Sequence, residues 1–124
     1  MNLTKSEEDY LETIFILEKE KNGARIVDIA KMLNVKLPSV TEAMRKLARK
    51  KLVNYKKYNK IKLTKEGEKF AKIVFKKHRV LFDFFTKLLG VDEKTAMRDA
   101  CLMEHSLSSE TLNKLIKFVK KHRG

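Results

Sequence analysis

Cysteine occurs once in these 124 residues, proline once, glycine four times, and tryptophan and glutamine not at all. A single cysteine excludes an internal disulfide. No stretch approaches the roughly 20 consecutive apolar residues that a membrane-spanning helix needs, which argues against a membrane partner. Met1-Asn2-Leu3-Thr4 lacks the makings of a signal peptide, and the expectation is a reducing, cytoplasmic setting. No Pro-, Gly- or Ser-rich linker divides the chain, and no internal repeat or low-complexity segment interrupts it. The length suits one domain, or two small halves sharing a helix, with enough residues for a core. Missing glutamine beside 36% charged residues is a balance associated with heat-adapted proteins.

Positive charge is what the chain has in excess. Lys and Arg number 29 against 16 Asp and Glu, a net charge of +13. Residues 1–22 carry net −3, residues 35–78 net +12 and residues 79–124 net +3, so the middle third holds nearly all of it. Clustered Lys and Arg raise local phosphate concentration and steer association with a polyanion. Double-stranded DNA is the expected partner.

The middle third is patterned to match. Ile26-Val27-Asp28-Ile29-Ala30-Lys31-Met32-Leu33 reads as a short amphipathic helix, Asn34-Val35-Lys36-Leu37 breaks it, and Pro38 sits where proline is tolerated, at the first position of a new helix. That helix turns Val40, Ala43, Met44 and Leu47 inward and shows Lys36, Ser39, Thr41, Glu42, Arg45, Lys46 and Arg49 on its other face. By itself such a face could simply be solvated. Two helices joined by about four residues, the second basic, are however the helix-turn-helix arrangement, whose second helix enters the major groove. Lys36, Pro38, Ser39, Thr41 and Glu42 are expected near bases, and Arg45, Lys46 and Arg49 at the DNA surface, the last two on phosphates. Residues 50–64 then alternate apolar and polar on each side of Lys57-Tyr58-Asn59, predicting a two-stranded hairpin with basic residues and two tyrosines near its tip. A basic hairpin after a recognition helix is a wing, with Lys57 and Lys60 laid along phosphates or a minor groove. The predicted fold class is mainly α: an N-terminal winged helix-turn-helix with a small two-stranded wing over residues 1–72, followed by an α-helical dimerisation domain over residues 73–124.

The flanking helices carry the remaining chemistry. Thr4-Lys5-Ser6-Glu7 has capping-box spacing, and Tyr10, Leu11, Ile14, Phe15 and Leu17 keep a helical period, predicting a helix over residues 5–21. Opposite its apolar stripe, Asp9 and Glu12 lie one turn apart. Thr64 is placed to cap a long helix over residues 65–89 ended by Gly90, with His78 on an apolar face beside Val74, Leu81, Phe82 and Phe85. Asp92 caps a fifth helix predicted over residues 92–107, and Ser108 or Ser109 starts a sixth. Cys101, Glu104 and His105 on the fifth project within an arc of about 100°. A thiol, a carboxylate and an imidazole so placed can ligate one divalent transition metal. The ordinary alternatives are a packed cysteine, solvated acids and a core histidine.

Phe82, Phe84, Phe85, Leu88, Leu89, Met97, Met103, Leu112, Ile116 and Phe118 are more apolar surface than the last helices can cover within one protomer. Uncovered apolar surface marks an interface. A two-fold homodimer is the simplest closure, and winged-helix readers bind paired half-sites.

The order Glu8-Asp9-Tyr10-Leu11-Glu12, Ile29-Ala30, Pro38-Ser39-Val40-Thr41, Leu63-Thr64-Lys65-Glu66-Gly67, His78-Arg79 and Glu104-His105 resembles the diphtheria-toxin-repressor family of metal-dependent transcriptional regulators. The likeness covers nearly the whole chain, and in size it is similar to the manganese-transport-regulator branch. The resemblance implies six metal ligands: Asp9 and Glu12 on the first helix, His78 on the fourth, and Cys101, Glu104 and His105 on the fifth. Cys101 stands where the manganese branch has a Glu and is similar to the iron-responsive branch. The iron branch's second site would need a Glu and a His where Phe82 and Met97 stand, and is not expected. The SH3-like module of the larger members is not expected either.

What the resemblance implies is a repressor of metal-uptake genes that binds a palindromic operator as a homodimer when loaded with Fe(II) or Mn(II). Co(II), Ni(II) and Zn(II) are expected to bind in vitro as well, and no small organic substrate is expected. A cation shared between the first helix and the later cluster would staple the two halves and set the recognition helices about 34 Å apart, one DNA turn. The alternative is a winged-helix DNA-binding protein with no metal sensing, indifferent to chelators. An enzyme is not expected, since Cys101 and His105 have no oxyanion donor or Gly-rich turn beside them.

Overall fold

Thr4 starts the first helix by a reciprocal cap: its hydroxyl accepts the Glu7 N–H at 3.1 Å, and the Glu7 carboxylate accepts the Thr4 N–H at 2.9 Å. In this computed structural model, which describes residues 3–56 and 60–122, helix α1 spans Lys5–Lys21 and buries Tyr10, Leu11, Ile14, Phe15 and Leu17. It ends at Asn22 with φ 57°, as α2 (Ile26–Leu33) ends at Asn34 with φ 54°. Asparagine tolerates that left-handed conformation, which stops a helix cleanly. Helix α3 (Leu37–Arg49) follows with Pro38 in its first turn and Val40, Met44 and Leu47 fully buried.

The wing is smaller than the alternation in residues 50–64 predicts. Strands β1 (Val53–Asn54) and β2 (Lys62–Leu63) pair antiparallel with Val53 opposite Leu63. Pairing is extended by a bridge that sequence patterning does not reveal: the Ile61 N–H donates to the Ala24 carbonyl at 2.7 Å. The Glu18 carboxylate of α1 accepts the Leu63 N–H at 2.8 Å and pins the hairpin to that helix. Lys57, at the expected tip, lies outside the described residues.

Helix α4 (Lys65–Asp83) is started by Thr64, whose hydroxyl accepts the Gly67 N–H and donates to the Lys51 carbonyl. Gly67 is required there. A Cβ at that position would lie 1.9 Å from the Leu52 carbonyl oxygen, so its hydrogen is what lets the helix start against the chain entering β1. The chain divides into two compact units, Met1–Lys72 and Ile73–Gly124, with the boundary inside α4.

In the second unit the long helix predicted over residues 65–89 is α-helical only to Asp83. Phe84–Leu88 is a π-helical segment, with the Leu89 N–H donating five residues back to Phe84, and Gly90 (φ 70°) ends it. The Thr86 hydroxyl bonds the Phe82 carbonyl at 2.9 Å, the kind of side-chain competition that loosens a helical ladder. Helix α5 (Glu93–Met103), capped by Asp92, stops four residues before the predicted end because the Ser106 N–H turns back to Met103. Ser108 caps α6 (Ser109–His122). Both α5 and α6 pack on the π segment. Val74, Leu81, Ala96, Ala100, Leu112 and Val119 are buried, while Leu89, Met97, Leu102, Met103 and Phe118 are exposed. Of the apolar residues expected to be uncovered, Leu112 is buried and Phe82, Phe84, Phe85, Leu88 and Ile116 are half-buried; Leu89, Met97, Met103 and Phe118 are exposed, and Leu102 joins them. Among the described residues no helix is long and apolar enough to cross a membrane.

Candidate metal centre and DNA face

Four of the six expected ligands gather in the second unit. His78 projects from α4 with its Nδ1 3.0 Å from Glu104 Oε2 and 3.7 Å from Cys101 Sγ. His105 Nε2 lies 3.3 Å from Glu104 Oε1. Cys101 is on the last turn of α5, Glu104 is its C-terminal cap, and His105 follows in the turn. The donor arc expected from helical spacing therefore survives although the helix stops at Met103. Glu104 is 1% exposed and His78 9%, whereas Cys101 is exposed.

Glu104 Oε1 is buried without a hydrogen-bond partner among the described residues. The His105 contact at 3.3 Å is an approach of unlike groups rather than an aligned hydrogen bond. A buried carboxylate oxygen left in that condition is costly unless something else satisfies it. With two imidazoles and a thiol around it, the donor chemistry fits a divalent transition metal. The Cys101 sulfur and the Glu104 carboxylate outweigh the opposing effect of burial and push the His78 imidazole up to about 10. Without a metal, then, His78 is a cation paired with Glu104, and ligation requires it to surrender that proton.

Asp9 and Glu12 lie one turn apart on α1 in the first unit, Asp9 half-buried and Glu12 9% exposed. Burial at that level is unusual for a merely solvated acid.

The residues expected to face DNA follow from α3. Lys36, Pro38, Ser39, Glu42, Arg45, Lys46 and Arg49 are exposed and Thr41 is half-buried. Lys60, before β2, is exposed. A groove between α3 and the wing is lined by Thr41, Arg45, Ala48, Arg49 and Tyr55, which adds Tyr55, one of the two tyrosines near the expected tip, as a candidate. Lys50 is already engaged: its ammonium lies 2.6 Å from Glu7, and although burial raises the Glu7 carboxyl, Lys50 and Thr4 hold it below its ordinary value. Sequence reasoning named Met97 only as apolar surface and as a departure from the iron branch's second site; its Sδ lies 3.1 Å from His78 Nε2. Its spacing of four from Cys101 was the available signal.

A helix-turn-helix with a wing, joined to a helical unit that carries a converging set of metal donors, defines a metal-responsive DNA-binding regulator. Residues 2–61 match the iron dependent repressor N-terminal DNA binding domain, and residues 64–123 match the iron dependent repressor metal binding and dimerisation domain. The chain is 42% identical over 122 residues to an HTH-type transcriptional regulator of Methanocaldococcus jannaschii, with 98% of each chain covered. It is 38% identical over 112 residues to the HTH-type transcriptional regulator MntR of Geobacillus kaustophilus, covering 90% of this chain and 79% of that one. Among solved structures it is similar to T. acidophilum IdeR, with a TM-score of 0.83, 28% identity and 97% of this chain covered. The manganese regulator SloR is similar too, with a TM-score of 0.80, 30% identity and 97% of this chain covered. The chain spans 55% of the length of each of those two solved chains. The chain belongs to the iron dependent repressor family. It is a metal-dependent regulator that binds double-stranded DNA as a homodimer, and the family is not a class of enzymes.

Proposed function

We propose that Asp9, Glu12, His78, Cys101, Glu104 and His105 hold one divalent cation, Fe(II) or Mn(II), and that its binding switches the homodimer into the form that represses metal-uptake genes from a palindromic operator. Glu104 carries this reading: a buried carboxylate with one oxygen lacking a hydrogen bond among the described residues, set among two imidazoles and a thiol. When bound, the ion supplies positive charge that offsets the carboxylates and favours the DNA-binding arrangement.

The protein's own groups do the rest. Glu104 holds the His78 ring through Nδ1 until that nitrogen gives up its proton. Cys101 softens a donor set that would otherwise be oxygen and nitrogen, which shifts preference from Mn(II) toward Fe(II), Co(II), Ni(II) and Zn(II). On the DNA side, α3 enters a major groove with Lys36, Pro38, Ser39, Thr41 and Glu42 near base edges and Arg45 beside them. Lys46, Arg49, Lys57 and Lys60 take phosphates. The setting is the cytoplasm, and Cys101 acts as a ligand rather than a nucleophile.

Anisotropy with the duplex upstream of the protein's own coding region, in chelator and then in Mn(II) or Fe(II), tests the reading. Metal is expected to tighten binding by roughly 5–150-fold, and operator DNA to tighten metal by the same factor. Equal DNA affinity in chelator and in both metals would overturn it and favour a winged-helix protein without metal sensing.

A further inference from the structure

His78 has two ring nitrogens, and Glu104 and Cys101 account for one. Nδ1 faces Glu104 Oε2 and Cys101 Sγ, while Nε2 faces Met97 Sδ at 3.1 Å. Met97 is one turn before Cys101 on α5, so one helix face brings a thioether to one edge of the ring and a thiol to the other. A thioether has no proton to give and can only accept. In this contact the ring nitrogen is therefore the donor, and its proton sits on Nε2. An imidazole that keeps Nε2–H presents its lone pair at Nδ1 once neutral, toward Glu104 and Cys101. Phe82 lies nearly parallel to the ring, at 14° and 6.4 Å between centroids.

We propose that Met97 is a positioning residue: its thioether accepts the His78 Nε2–H and so fixes the tautomer and ring rotation that aim Nδ1 at the metal. This rests on the reading of His78 as a ligand. Metal-bound histidines ordinarily anchor their second nitrogen on a carboxylate, a carbonyl or water, which also raises ligand basicity. A thioether is a weaker acceptor, so Met97 orients the ring while leaving Nδ1 less basic than a carboxylate partner would. Met97 is 49% exposed, so changes there leave the core of the unit intact.

The test uses the full chain with 15N-labelled histidine, titrated with diamagnetic Zn(II), as wild type, Met97→Leu and Met97→Gln. In the Zn(II)-loaded wild type the His78 proton is expected on Nε2 and the metal-induced shift on Nδ1. Met97→Leu, similar in size but without an acceptor, is expected to weaken Zn(II) about 10-fold, the lower end for loss of such a partner, and to speed exchange of the Nε2 proton. Met97→Gln, whose amide oxygen can accept, should restore both. A loaded His78 protonated on Nδ1, or a Leu variant that binds Zn(II) as tightly as wild type, overturns the role of Met97 and leaves His78 a ligand. Silence of both His78 nitrogens on Zn(II) addition to the wild type overturns the ligand reading and the role of Met97 with it.

Discussion

The two units bury themselves in different ways. Among the described residues, eight of the ten largest side chains under 2% exposed lie in Met1–Lys72, from Leu11 and Ile14 on α1 to Leu52 and Ile61 around the wing, and all eight are apolar. The two in Ile73–Gly124 are Leu81 and Glu104, and one of those is a carboxylate. Ile73, Leu89, Met97, Leu102, Met103 and Phe118, six of the ten large hydrophobics exposed among the described residues, also belong to this shorter unit. The first unit thus carries its own stability in buried apolar surface. The second places a carboxylate at its centre and keeps more of its apolar surface outside.

That contrast can be broken from either side. Gly67→Ala forces a methyl onto the Leu52 carbonyl and should cost the first unit more than about 4 kcal/mol, the range of exceptional single-site losses; urea unfolding followed by far-UV CD would show it. Phe118→Asp, on the exposed surface of α6, should weaken the dimer by about 2 kcal/mol, the scale of an interface hot spot, and leave the fold intact. Sedimentation equilibrium separates those outcomes. Glu104→Gln keeps shape but removes the charge, and the tightening of DNA binding by Mn(II), worth about 1–3 kcal/mol, should vanish while chelator-state affinity is unchanged.

Proton linkage sharpens the same comparison. The folded chain raises His78 from 6.5 to about 10, so its contacts with Cys101 and Glu104 stabilise metal-free protein fully below pH 6.5, and that stability is lost as pH rises toward 10. Chelated wild type should lose stability across that window by at most about 1.4 kcal/mol per pH unit from this group. His78→Gln should be flat there, and a parallel slope in both would remove the pair from the account. The smallest effect is on the DNA side: Lys46→Ala should lower the salt dependence of operator binding by about one ion per protomer with sequence preference unchanged. An altered preference at constant slope would move Lys46 from phosphate to base.

Much of this was legible because local signals were strong. The Thr4–Glu7 box and the asparagines after α1 and α2 mark helix ends within the chain itself, and the predicted spans of those two helices match. The gathering of His78 with Cys101, Glu104 and His105 was legible only in part: spacing groups the last three, but His78 joins them through packing of α4 and α5. Other features depend on tertiary contact. An α-helical period cannot announce the π segment at Phe84–Leu88, since its apolar residues read equally well either way. Nor can alternation within residues 50–64 reveal that Ile61 pairs with Ala24, far off in the chain. Met97 was legible as a residue that is not histidine, and its contact with the other edge of the His78 ring emerged only from the fold.

The early stop of α5 has an electrical consequence. Aligned peptide dipoles leave about half a negative charge at the carboxy end of a helix, confined to its last turn. Because α5 ends at Met103, that end falls beside Cys101 and Glu104; a helix running on to Leu107 would have carried it about one turn further along the chain, away from Cys101. Attraction for a cation therefore begins with the main chain and persists in variants that neutralise every side chain around it.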